Sequence, residues 1–194
     1  QLARYTKLEG ALNAELTQTE ARLSKVRTGL SAQRGSFRSV RRKVDAAGVT
    51  EAMGFVLRNQ LKSLDDASEL ARDHEQIRER LSAVQFELIT LEESRNALPE
   101  PATELERLLG RLPPGVGLDH EVLRRVGIQV LEGRKSFINN AVRVANSLFQ
   151  RLAELDHLIG EKIKANAEYR SYVEERILWV PSVAGGGVPN PAQA

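Results

Sequence analysis

Apolar residues recur along most of this chain at alternating steps of three and four. In the first stretch Leu16, Thr19, Leu23, Val26, Leu30, Gln33, Phe37, Val40 and Val44 keep that rhythm without a break. Such a seam covers one narrow helix face and is the mark of coiled-coil packing. Tyr5, Leu8 and Leu12 extend it upstream, with a slip at Leu12 to Leu16 that reads as a stutter. The first expected helix covers 2–46. Gly48 suits the left-handed position after a helix end and Thr50 suits an N-cap, so a short turn follows. A second seam runs through Met53, Leu57, Leu61 and Leu64, then His74, Ile77, Leu81, Val84, Leu88, Leu91, Arg95 and Leu98. It predicts one helix over 51–98. A short helix is expected near 103–112, and Asp119 is the next N-cap. Val126, Val130, Phe137, Ala141, Val144, Leu148, Leu155, Ile159, Tyr169, Val173, Ile177 and Val180 then predict a helix over 119–179, with Gly133, Arg151, Lys162 and Asn166 filling the remaining seam slots.

The prolines agree with this division. Pro99, Pro101, Pro113, Pro114, Pro181, Pro189 and Pro191 leave 1–98 and 115–180 free of proline, which costs about 3 kcal/mol inside a helix. No alternating β-branched segment predicts a strand. At 1.5 Å per residue the three long helices would measure roughly 65, 70 and 90 Å. The expected fold is all-α: an elongated antiparallel three-helix coiled-coil bundle, up-down-up, forming one helical rod over 1–182. The stretch 183–194, with Gly185-Gly186-Gly187 and two prolines, reads as a flexible tail. Leu12 and Leu158 are expected as exposed seam residues able to drive dimers.

Composition fits a thin core. Of 194 residues, 41% are hydrophobic and only 5% aromatic, where compact cores rely on large rings. The absence of cysteine excludes disulfides, thiolate metal sites and cysteine nucleophiles. It suits an oxidising compartment without proving one. No apolar run approaches the ~20 residues of a membrane span, and no signal-peptide pattern opens the chain. The chain begins at Gln1 and is read as a fragment or processed form.

Net charge is only +2, but its distribution is uneven. From Ala21 to Val44 stand Arg22, Lys25, Arg27, Arg34, Arg38, Arg41, Arg42 and Lys43, with no acid among them. A turn centred near Gly48 would set residues whose numbers sum to about 96 opposite one another. Arg22, Lys25 and Arg27 would then face Asp65, Asp66, Glu69, Asp73 and Glu75. Arg38, Arg41, Arg42 and Lys43 would remain at the hairpin tip, offset only by Asp45 and Glu51.

Candidate chemistry is sparse. His74, His120 and His157 lack the spacing of a helical metal site, and no Gly-rich phosphate loop or Ser-His-Asp set occurs. No catalytic residue, cofactor site or metal site is expected, and an enzyme is not the reading. The end of the last helix is different. Tyr169 to Ser182 holds two of the three tyrosines and the single tryptophan, including Tyr172 and Trp179. Such rings pack a helix end on its neighbour, or sit at a membrane–water interface.

That stretch, YRSYVEERILWVPS, resembles the Leu-Trp-Val/Ile-Pro-Ser ending of the periplasmic region in large MscS-like mechanosensitive channels of the MscK (KefA) type. Gly48 to Asp66, GVTEAMGFVLRNQLKSLDD, resembles the family's second signature, with a Gly-led helix start, a Leu-Arg-x-Gln element and a Leu-x-Asp close. The sequence departs where the family often carries a Pro after the Leu: here Ser63-Leu64-Asp65 stands. The resemblance covers roughly 1–182 and implies a helical periplasmic domain just before the first membrane-spanning segments of an inner-membrane channel. It implies a homo-oligomer in the full-length protein, assembled through a membrane portion absent from this chain. It implies a role in the osmotic-stress response, by conveying force or supporting assembly.

Trp179 would then lie close to the membrane. Aligning Leu98 with Asp119 sets Glu51 level with about Tyr169, roughly 15 Å from Trp179. Arg38, Arg41, Arg42, Lys43, Tyr172 and Trp179 thus become candidate membrane-proximal contacts, with anionic lipid headgroups as partner. The alternative is a free-standing coiled-coil adaptor or scaffold. A nucleic-acid-binding rod is the third reading, without the aromatic interleaving that specific nucleic-acid recognition uses.

Overall fold

A computed structural model describes residues 2–111 and 119–179, the side chains of 2–5 excepted. Val180, Pro113, Pro114, Pro181 and the expected tail lie outside the described residues. Among the described residues the chain is all-helical: α1 (Leu2–Ala47), α2 (Glu51–Ser63), α3 (Ala67–Asn96), α4 (Pro101–Leu109) and α5 (His120–Ile177). Contacts divide it into two compact units. Unit one is Gln1–Val26 with Asp73–Leu158, and unit two is Arg27–Arg72 with Ile159–Ala194.

The helix boundaries follow local chemistry. Gly48 takes φ 67°, the left-handed geometry that ends α1. The Thr50 side chain accepts the Met53 N–H at 3.3 Å and opens α2. Asp119 Oδ1 accepts the Glu121 N–H at 2.9 Å at the start of α5. Pro101 opens α4, because a first-turn residue needs no N–H.

The single helix expected over 51–98 is two helices. Leu64 is extended, at φ −70° and ψ 143°. Asp66 then caps α3, accepting the Ser68 N–H at 2.7 Å and the Ser68 hydroxyl at 2.6 Å. These bonds, the hydroxyl one first, hold the Asp66 carboxyl below its ordinary range. The sequence carries the signal twice: in the seam gap between Leu64 and His74, and in Asp66-Ala67-Ser68-Glu69, which has the spacing of a capping box.

In unit one the buried set is aliphatic. Leu12, Leu23, Ile77, Val84, Leu91, Leu105, Ile138, Ala141, Ala145, Leu148 and Leu155 form its interior. Leu12 is 1% exposed, so it is a core residue and not a free dimer contact. Among the described residues Thr19 is the buried polar side chain of this unit, and its hydroxyl bonds to Glu15 O of its own helix at 2.8 Å. Arg22 meets Asp73 at 2.9 Å, as the expected pairing requires. Arg80 grips Glu15 at 2.6 and 2.7 Å and Glu87 at 3.0 Å, and these bonds raise its pKa. His74 Nε2 lies 2.9 Å from Asp156 Oδ1, which accounts for a histidine in a seam slot.

The start of α5 departs from the expected seam. Val126 and Val130 are 52% and 50% exposed. This stretch lies along α4. Leu105 approaches Gly127 so closely that a Cβ there would stand 2.5 Å from Leu105 Cδ1. Arg124 meets Glu106 at 3.3 Å, and Lys135 meets Glu100 at 2.8 Å. α4 therefore occupies the level at which Leu98 was expected to meet Asp119.

Candidate functional site

Unit two brings together the second half of α1, the whole of α2 and the end of α5. Val40, Val44, Leu57, Tyr169 and Val173 form its core, with Phe37, Val49, Met53, Leu61, Leu64, Tyr172 and Ile177 packed against it. The Phe37 ring lies 4.8 Å from Tyr169 and 5.2 Å from Tyr172, the latter edge-on. The Arg176 guanidinium stacks 3.6 Å over the Tyr172 ring. Tyr172, expected at an interface, is thus half-buried between Phe37 and Arg176.

Polar groups join the three helices beside this core. Gln60 Oε1 accepts the Tyr169 hydroxyl at 2.7 Å and the Ser36 hydroxyl at 2.9 Å. Burial of Tyr169 pushes its pKa up, against the opposing effect of the Ser36 bond. Asn166 is 2% exposed; it accepts from Gln33 Nε2 at 3.0 Å and donates to Asp65 O at 2.9 Å. Lys162 reaches Asp65 Oδ2 at 2.9 Å. Asp65 and Asp66 therefore serve α5 and the α3 cap rather than the basic run of α1. Sequence reading placed Gln33, Lys162 and Asn166 in seam slots but did not pair them. Gln60 and Ser36 gave no signal, because Gln and Ser on a helix are ordinary surface residues.

The register differs from expectation. Gln60, not Glu51, is level with Tyr169, about two and a half turns further along. α1 and α5 pair at a constant offset of 133 positions through Gln33–Asn166 and Ser36–Tyr169. That offset sets Arg41 and Arg42 level with Glu174 and Glu175, one turn before Trp179.

The basic residues separate into two groups. Arg38, Arg41 and Arg42 share one exposed face at i, i+3 and i+4, around an open depression that Gly35 and Asp45 also line. Lys43 is exposed on another side of α1, a quarter turn or more away. Among the described residues none of these four has an ion pair, and Arg38 bonds only to Arg34 O, at 3.4 Å. By contrast Arg34, one turn before, is paired with Glu161. Beyond α5, Leu178 is 85% and Trp179 75% exposed, and the Trp179 N–H still bonds to Arg176 O at 3.2 Å.

This arrangement can hold an anion: three guanidiniums with no ion pair among the described residues line a depression with Gly35. Among the described residues no three His, Asp or Glu side chains converge as metal ligands. No helix there is long and apolar enough to cross a membrane. A scan of protein-family models and a search of curated proteins give no match to the chain.

Proposed function

We propose that this chain is the non-catalytic periplasmic domain of an inner-membrane mechanosensitive channel, of the large MscS-like, MscK (KefA) type. In this reading residues 1–182 form one up-down-up three-helix bundle. Its α5 end leads into the membrane-spanning part, and the full-length protein is a homo-oligomer. A stiff helical domain there conveys force or crowding to the membrane helices, or supports assembly of the subunits, as part of the osmotic-stress response.

The observation that carries the reading is the meeting of its two signature stretches. They lie about a hundred residues apart, and Gln60 of the Leu-Arg-x-Gln element accepts the hydroxyl of Tyr169, the first residue of the Leu-Trp-Val-Pro-Ser ending. The departure after Leu64 also fits. Its φ of −70° and ψ of 143° are the values a residue before proline adopts, so the helix breaks where the family carries that Pro. The paired contacts of α1 with α2 and with α5 in unit two support the bundle order.

The test is the reading frame beyond Ala194. Several apolar spans of about 20 residues are expected there. A stop codon directly after Ala194 would overturn the channel reading in favour of a free-standing coiled-coil adaptor or scaffold.

A further inference from the structure

We propose that the Arg38, Arg41 and Arg42 face of α1, with Leu178 and Trp179 at the same end of unit two, docks on the surface of an anionic lipid bilayer. The choice of a membrane rests on the function proposed above. The surface itself rests on charge, exposure and register.

Three arginines at i, i+3 and i+4 repel one another on a helix surface. Three other arginines meet a carboxylate of a neighbouring helix: Arg22 has Asp73, Arg34 has Glu161 and Arg80 has Glu15. Arg41 and Arg42 have none among the described residues, and Asp45 alone offsets the depression of 580 Å³ that the three arginines line. Gly35 adds no side chain there, and nothing stands within 4 Å of where its Cβ would be. A phosphate can therefore approach the helix backbone between guanidiniums, which bind phosphate oxygens in pairs.

The second component is apolar. Leu178 and Trp179 are the most exposed large hydrophobic side chains among the described residues. The α1–α5 offset sets them one turn beyond the arginine level. A bilayer surface satisfies both parts at once, with anionic headgroups for the arginines and an interfacial layer for the indole. A nucleic-acid duplex, whose bases are stacked inside, satisfies only the first.

The test is co-sedimentation of the whole 194-residue chain with phosphatidylcholine vesicles, with and without phosphatidylglycerol. Binding is expected only when phosphatidylglycerol is present. R38Q/R41Q/R42Q should weaken it on the order of 100-fold, given the usual contribution of each surface cation. Lys43→Gln, on the other side of the helix, should weaken it far less, and Asp45→Asn should strengthen it. All these positions are exposed, so unchanged helicity by circular dichroism identifies the variants as folded. Equal binding by the triple variant overturns the proposal. So does equal binding to both vesicle types, or triad-dependent binding to duplex DNA without vesicle binding. The two readings can fail separately. A stop codon after Ala194 with vesicle binding intact removes the channel and leaves this surface. Downstream spans without vesicle binding remove the surface and leave the channel.

Discussion

The two units bury different chemistry along the same helices. Unit one is filled by Leu, Ile, Val and Ala; among the described residues Thr19 is its buried polar side chain and bonds within its own helix, while its Arg80–Glu15 and His74–Asp156 contacts between helices are about one third exposed. Unit two carries a ring cluster and a polar layer in which Gln33, Ser36, Gln60, Asp65, Lys162 and Asn166 bond from helix to helix. An aliphatic seam repeats every seven residues, so a shift of one heptad still pairs apolar with apolar. A polar layer pairs in one register only, because any shift leaves a buried amide without a partner. Unit one thus derives stability from its core, and unit two sets which residues are level with which. The position of the basic face relative to Trp179 is a consequence of that layer.

The largest expected effect is in the aliphatic core. Leu148 is 0% exposed, and Leu148→Ala should cost about 2–5 kcal/mol in urea unfolding. A cost below 1 kcal/mol would mean that unit one is loosely packed and that the contrast of cores is false.

Next is the polar layer. Asn166→Ala removes the partner of both Gln33 and Asp65 O and should cost about 1–3 kcal/mol. More telling is register: a spin-label pair at exposed positions of α1 and α5 in unit two should broaden in distance in this variant and stay narrow in Leu148→Ala. Equal broadening in both would sink the division of roles.

A smaller effect is expected for the ion pairs of unit one. Arg80 and Glu15 are each about one third exposed, and a double-mutant cycle between them should give a coupling near 0.2–1 kcal/mol. A coupling of several kcal/mol would show that charge, and not only apolar burial, holds unit one.

The smallest effects are local and depend on pH. Asp66 titrates below its ordinary range when folded, so its cap is in place above the unfolded pKa and is lost as pH falls through the folded one. Amide exchange in the first turn of α3 should rise on acidification, and Asp66→Ala should show that rise already at neutral pH. Tyr169 has the opposite sign. Its folded pKa is raised, so the stability contributed by the neutral phenol is present below about pH 10 and lost as pH rises through the folded value. Tyrosinate absorbance should show one tyrosine ionising late.

Much of this was legible in the sequence, for a physical reason. Seam positions repeat at helical spacing, and burial follows: Leu23, Leu30, Val40, Val44, Leu57, Ile77, Val84 and Leu91 are all core residues. Gly48, Thr50 and Asp119 mark helix ends by their own backbone and side-chain chemistry. What was not legible depends on neighbours. The break at Leu64 was passed over because the apolar rhythm resumes at His74, although the seam gap and the Asp66 cap mark it. Val126 and Val130 keep seam spacing but stand beside α4, whose placement depends on Gly127 admitting Leu105. The four-residue basic tip resolves into three arginines and a separate lysine only once the core direction of α1 is known.

Trp179 is the single tryptophan of the chain and is 75% exposed, so its fluorescence reports directly on the surface at issue. The decisive measurement is its emission as vesicles are added to the 194-residue chain. A blue shift with phosphatidylglycerol vesicles, quenched by brominated lipid and absent in R38Q/R41Q/R42Q, is expected if this end of unit two lies on a membrane. Emission that stays at its water-exposed position with every vesicle would contradict that orientation.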